Sequence, residues 1–83
     1  MTVARLPTPF SGATNARKLL ALNVRYLRHR QGLGFREFCR RAGIAENTLY
    51  RVESGLHSTG LDILEMLALT LKVPLWRLFK DVK

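Results

Sequence analysis

Apolar residues that recur every three or four positions divide most of the chain into five predicted helices. The first helix is predicted to start after Thr14, a suitable N-cap residue, and to run to about Gln31, where Gly32 stops it. Its apolar stripe is spaced four, four and three residues apart and consists of Ala16, Leu20, Val24 and Leu27. Because such a stripe lies on one face of a helix, we expect these residues to pack into the core.

Two shorter helical patterns meet at a glycine in the middle of the chain. The first covers residues 35–41 and the second covers residues 46–54, and each has one apolar face. The inward-facing residues of the pair are Phe38, Cys39, Ala42, Leu49 and Val52. Gly43 follows the first helix, at a position where the chain needs a positive φ to reverse. This arrangement is the pattern of a helix-turn-helix.

The C-terminal third predicts two further helices. The fourth covers about residues 61–71, and its stripe consists of Leu64, Leu67, Ala68 and Leu71. Pro74 suits the first turn of a fifth helix over about residues 75–80, where its missing N–H costs nothing. We expect Leu75, Leu78 and Phe79 to close the core. Further apolar residues exceed one stripe and either enter the core or form a partner surface: Ile63, Met66, Leu69 and Trp76.

Residues 1–13 contain no helical or strand period. They are rich in Pro, Thr, Ser and Gly, and we expect a flexible arm. The arm is either an untethered tail or a segment that places Arg5 in a DNA minor groove. Residues 14–83 are predicted to form one compact, all-α domain of five helices.

Charge is spread unevenly along the chain. The 83 residues carry a net charge of +8, from 14 basic and six acidic residues. Residues 17–51 hold nine of the basic residues and two acids, whereas residues 52–83 are neutral overall. A positive field centred on a helix-turn-helix is the pattern expected of a phosphate-binding surface.

Other classes of protein fit the sequence poorly. No run of about 18 apolar residues predicts a membrane span, no secretory signal is present, and the single Cys39 cannot form an internal disulfide. These features predict a cytoplasmic protein, associated with the nucleoid through DNA. The sequence contains no catalytic constellation, metal-ligand cluster or phosphate-binding glycine loop, so we expect no enzyme, metal, cofactor or small-molecule ligand.

Over residues 16–80 the chain resembles the XRE-type helix-turn-helix proteins, the group that includes Cro and the phage repressors. The resemblance rests on the apolar, small and glycine positions of the central motif, on Val24–Arg28, and on Glu53-Ser54-Gly55. It implies a lambda-repressor-like fold. The chain departs from the family at Phe35, where a phosphate-contacting Gln is usual, and at Gly34 and Ala45, where Ser or Thr caps are usual.

The resemblance implies which residues contact DNA. The base-reading residues would be Glu46, Asn47, Thr48 and Arg51. Because the second helix and the loop after the third lie beside these residues, we expect phosphate contacts from Arg36, Arg40, Arg41, Tyr50, His57 and Ser58; the alternative for the three arginines is a merely solvated face. The chemistry of the base-reading residues agrees, because Asn bonds adenine, Arg bonds guanine and Glu accepts from cytosine. Glu46 also has a competing role, since an acid in the first turn offsets the helix dipole. The family further implies a structural ion pair between Arg28 and Glu53.

The expected function is that of a Cro-like or restriction–modification-controller-like transcriptional regulator that binds double-stranded operator DNA. The alternative is an antitoxin that masks a partner toxin and binds DNA secondarily. One recognition helix reads few base pairs, so we expect a homodimer that pairs through Met66, Leu69 and Trp76. The competing possibility is a monomer in which Trp76 folds onto its own core.

Overall fold

A computed structural model describes residues 15–81, which contain helices and turns but no β-strand. The elements are α1 (Asn15–Arg30), α2 (Phe35–Ala42), α3 (Glu46–Ser54), α4 (Leu61–Leu71) and a 3-10 helix (Leu75–Phe79). Within the described residues, no helix is long and apolar enough to cross a membrane. The predicted arm over residues 1–13 and the predicted cap Thr14 lie outside them.

Helix α1 is the element on which most of the fold is assembled. It contacts α3, α4 and the 3-10 helix, and its buried face includes Leu20, Val24 and Leu27 as predicted. Ala16 is exposed, contrary to the prediction, because it lies in the first turn of α1, ahead of the buried stretch that begins at Leu20. Ala21 is buried instead, so the core face of α1 is shifted toward its middle.

The turn between α2 and α3 has the backbone geometry that its glycine predicts. Gly43 has φ 72° and donates its N–H to the Cys39 carbonyl at 2.9 Å, and the Ile44 N–H reaches the same carbonyl at 3.1 Å. A residue with a Cβ would be strained at this φ. Phe38 and Leu49 are completely buried on the two sides of the turn. The predicted helix-turn-helix is therefore present.

The C-terminal segment differs from its prediction in two ways. The predicted fifth α-helix is a 3-10 helix of five residues, whose tighter turns suit such a short element. Leu78 is completely buried and Phe79 is half-buried, but Leu75 is 40% exposed and does not close the core. Pro74 is the N-cap residue of this helix, and Leu75 is its first residue.

Two amide side chains, one on α1 and one directly after its last residue, tie this part of the chain to its C-terminal part. Asn23 is buried, and its Nδ2 donates to the carbonyls of Leu19 at 2.8 Å and Lys80 at 2.9 Å. Its Oδ1 accepts from Nη1 of Arg77 at 2.6 Å. Gln31 Nε2 donates to the Leu71 carbonyl at 2.8 Å, at the end of α4. The bonds to Leu71 and Lys80 give a donor to carbonyls at or just beyond the ends of α4 and the 3-10 helix, where no intrahelical partner follows.

Candidate nucleic-acid interface

Helix α3 presents a polar face to solvent because its other face is locked into the core. Leu49 and Val52 are buried, which turns the remaining positions outward. The outward-facing side chains are Glu46, Asn47, Tyr50 and Arg51, all exposed, and Thr48, which is half-buried. Of the four predicted base-reading residues, Thr48 is therefore the least accessible. The set of exposed groups combines an amide, a guanidinium and a carboxylate, the three kinds of group that read base edges.

The outer face of α2 lies beside the start of α3. Its three predicted phosphate-contacting arginines, Arg36, Arg40 and Arg41, are all exposed. Arg36 Nε lies 3.4 Å from Oε2 of Glu46, so the two side chains form an exposed ion pair. Arg36 is one of the residues predicted to contact phosphate, and Glu46 is one of those predicted to contact bases. The two helices thus form one continuous charged surface.

Glu37 also belongs to this surface, although the sequence pattern predicted no role for it. Its carboxylate accepts from Arg40 Nη2 and, at 2.7 Å, from Arg41 Nε. The hydrogen bond from Arg41 is the largest cause that lowers the pKa of Glu37 below its usual range, and the charges of both arginines add to it. The spacing of three and four residues was the available clue to these contacts.

The loop between α3 and α4 divides the last two predicted phosphate contacts. Ser58 lines a small depression of about 100 Å³ together with Thr48 and Arg51, so it lies against the polar face of α3. His57 is half-buried and lines a separate depression of about 280 Å³, beside Arg17 at the start of α1. Ser58 also lines this second depression, so it lies between the polar face of α3 and the start of α1, whereas His57 lines only the second of the two.

Arg28 and Glu53 form a two-bond ion pair between α1 and α3. Arg28 Nε donates to Glu53 Oε2 at 2.9 Å, and Nη2 donates to Oε1 at 3.1 Å. Nη1 donates to the carbonyl of Leu33 at 3.1 Å, so each terminal nitrogen has a partner. The Phe35 ring covers the guanidinium, with its centroid 5.5 Å from Cζ. Phe35, one of the three residues that depart from the family pattern, thus helps to shield this pair from water.

Cys39 belongs to the core of the motif. It is buried in the middle of α2, and burial is the main cause that raises the pKa of its thiol, with the charges of Glu46 and Glu53 adding to it. A raised pKa keeps the thiol protonated at neutral pH, which makes it a poor nucleophile. Among the described residues, no group of three or more His, Cys, Asp or Glu side chains is arranged to hold a metal ion.

The apolar residues that exceed one stripe separate into two kinds. Ile63 is partly buried and packs against the core. Leu69 and Trp76 are 77% and 65% exposed, and Met66 is 39% exposed. Trp76 therefore does not fold onto its own core. Met66 and Leu69 lie on α4 and Trp76 lies on the 3-10 helix, all within residues 52–83, which are neutral overall.

Comparisons with known proteins agree with this geometry. A family model described as a helix-turn-helix domain matches residues 19–75, whereas the comparison with curated proteins gives no match. The chain is similar in structure to a hypothetical transcription factor, NHTF, from Neisseria, with a TM-score of 0.77 and 25% sequence identity. That alignment covers 94% of this chain and 92% of the other.

Two further solved structures share the fold. The restriction-modification controller protein C.AhdI from Aeromonas hydrophila has a TM-score of 0.71 at 24% identity, over 76% of this chain and 96% of that one. An HTH_3 family transcriptional regulator from Vibrio cholerae has a TM-score of 0.72 at 22% identity. The second alignment covers 80% of this chain but only 38% of the Vibrio protein, which is much longer.

Proposed function

Because the chain belongs to the helix-turn-helix domain family, of the XRE type predicted from its sequence, we propose that it is a sequence-specific DNA-binding regulator. The observation that carries this proposal is the presentation of α3. Its core-facing side is buried, and Glu46, Asn47 and Arg51 project into solvent beside the arginines of α2. A rigid helix with readable polar groups and adjacent positive charge can enter a major groove.

Sequence choice and affinity have different sources in this proposal. Asn47 bonds adenine and Arg51 bonds guanine, each through two hydrogen bonds, while Glu46 accepts from cytosine. Arg36, Arg40, Arg41, Tyr50 and Ser58 contact phosphate, and His57 reaches the backbone from the side of α1. Phosphate contacts carry most of the affinity and weaken as salt rises. The regulator is Cro-like or controller-like in role.

The test of this proposal begins with selection of bound fragments from a random duplex pool at a stated salt concentration. We expect a consensus sequence. Asn47→Ala and Arg51→Ala should each weaken binding to it by about 1–3 kcal/mol and change binding to random duplex little. Arg25→Ala, which removes an exposed arginine from α1, is the control. Unchanged operator affinity in both α3 variants would rule α3 out as the reader.

We also propose that two copies pair through Met66, Leu69 and Trp76. Pairing places two α3 helices about one helical turn of DNA, roughly 34 Å, apart, so that a palindromic site is read twice. The apolar exposure of Leu69 and Trp76 and the neutral charge of residues 52–83 support this surface.

Sedimentation at micromolar concentration tests the dimer. We expect a dimer for the unmutated chain and a folded monomer for Trp76→Glu. Leu56→Glu, which adds the same charge at an exposed apolar residue of the α3–α4 loop, should stay dimeric. A monomer that remains single on DNA with two half-sites contradicts the proposal. A monomer that co-purifies with a second small protein instead favours the antitoxin alternative.

A further inference from the structure

The arginine face of α2 carries its own acidic competitor. Glu37 lies three and four residues before Arg40 and Arg41, so all three side chains share one side of the helix. Its carboxylate contacts both guanidinium groups. A carboxylate and a phosphate accept from the same N–H donors, which means that Glu37 holds the groups proposed to contact DNA.

Resting on the proposed function, we infer that Glu37 restrains the affinity of α2 for the DNA backbone. To bind phosphate, Arg40 and Arg41 must give up hydrogen bonds to Glu37. The carboxylate that remains then repels the phosphate brought close to it. Exposed ion pairs of this kind are weak, so phosphate can replace Glu37 as the partner of each arginine. The free energy gained from each phosphate contact is nevertheless reduced by the lost contact with Glu37.

A second acid strengthens the inference. Residues 17–51 contain only two acidic residues, Glu37 and Glu46, and both contact arginines of α2. The strong positive charge that the sequence places in this region is therefore partly neutralised where it meets α3. Because Glu46 is itself a proposed base-reading residue, its removal would mix two effects. Glu37 belongs to neither proposed contact set, so it isolates the restraint.

The experiment measures binding of a short random-sequence duplex by Glu37→Gln across a salt series. Glutamine keeps the size of the side chain and removes its charge. We expect the dissociation constant to fall about three- to tenfold at roughly 0.05 M salt. The salt dependence should become steeper, because both arginines are then free to bind phosphate and displace counterions from the DNA. The advantage should shrink as salt rises.

Glu65→Gln is the matched control, because it changes the net charge equally at an exposed residue of α4. It should tighten binding much less. In a background that also carries Arg40→Ala and Arg41→Ala, Glu37→Gln should give no more than this control effect, since the competing donors are gone. A cooperative melting transition above the temperature of the binding measurements would show that each variant folds.

The outcomes separate the inference from the function on which it rests. If the unmutated chain binds duplex but Glu37→Gln binds no more tightly than Glu65→Gln, the restraint is wrong and the proposed function stands. Weaker binding by Glu37→Gln would mean that the carboxylate orients the arginines for DNA, which also overturns the restraint. Absence of any duplex binding by the unmutated chain overturns both.

Discussion

Arginine meets carboxylate in two regions of this molecule, with opposite consequences. Between α1 and α3, the Arg28 and Glu53 side chains are only 9% and 10% exposed. On α2, the Arg40 and Arg41 side chains are 72% and 59% exposed and share Glu37, which is 35% exposed. The groups are chemically the same in both places. What differs is the amount of water that can replace a lost partner.

The difference explains how one set of arginines holds the fold while another can exchange its partners, as the proposed phosphate contacts require. A buried charge that loses its partner has no solvent to compensate it, so the Arg28 pair is fixed. An exposed charge is solvated whether or not it is paired, so the α2 arginines can change partners at little cost. Burial, rather than the presence of an ion pair, decides the role of each arginine.

The largest expected effect breaks the buried pair. Arg28→Met or Glu53→Leu alone should lower the free energy of unfolding by about 3–5 kcal/mol, because each leaves an uncompensated buried charge. Arg28→Met combined with Glu53→Leu should recover much of this loss. Urea denaturation of the single and double variants measures the effect. Additive losses in this cycle would show that the two side chains are not coupled.

An intermediate effect extends the comparison to a neutral buried group. Asn23→Ala removes the buried side chain that bonds Leu19, Lys80 and Arg77, and leaves the Lys80 carbonyl and the Arg77 guanidinium without this partner. We expect a loss of about 1–3 kcal/mol in urea denaturation, with faster amide exchange in the 3-10 helix. Asn47→Ala, an exposed asparagine of α3, is the matched control and should leave stability unchanged. Equal losses in the two variants would argue against the Asn23 tie.

The smallest expected effect concerns the exposed pair. Arg41→Ala should lower the melting temperature only slightly but raise the pKa of Glu37 toward its ordinary value of 4.5, because the main hydrogen bond that lowers it is lost. Arg40→Ala should raise the pKa less. NMR titration of the Glu37 carboxyl carbon measures both shifts. A larger shift for Arg40→Ala would reverse the assignment of the dominant contact.

The same depressed pKa fixes the direction of the pH dependence. Glu37 has a lower pKa in the folded chain than in the unfolded chain, so its pairing favours folding above the ordinary value of 4.5. This contribution disappears as pH falls below that value and through the folded pKa. In Glu37→Gln, this part of the acid dependence should be absent, which acid denaturation monitored by circular dichroism can test.

The sequence predicted features that depend on local spacing. Apolar periodicity located the four α-helices, and Gly43 identified the turn because only a positive φ fits there. The exposed face of α3 followed from the burial of Leu49 and Val52. The family resemblance also supplied the contact between Arg28 and Glu53, which are 25 residues apart and share no local pattern.

Features that depend on packing between distant elements could not be predicted. Periodicity cannot show that Asn23 meets Lys80, 57 residues later, or that Phe35 covers Arg28. It also placed Ala16 in the core, because a stripe does not reveal where the covering elements begin. The contacts of Glu37 with Arg40 and Arg41 follow from their spacing of three and four residues. The many arginines on this face predicted phosphate contacts, so the pairing with Glu37 was not predicted.

The tie between Asn23 and Lys80 also constrains the order in which a nascent chain can fold. Helix α1 is synthesised early, yet its buried amide meets two of its three partners only after residues 77 and 80 have been added. At roughly 5–20 residues per second, the ribosome completes this interval within seconds, so the helix-turn-helix emerges before α1 is fully anchored. A chain terminated before residue 77 would contain all of α3 but lack this anchor for α1.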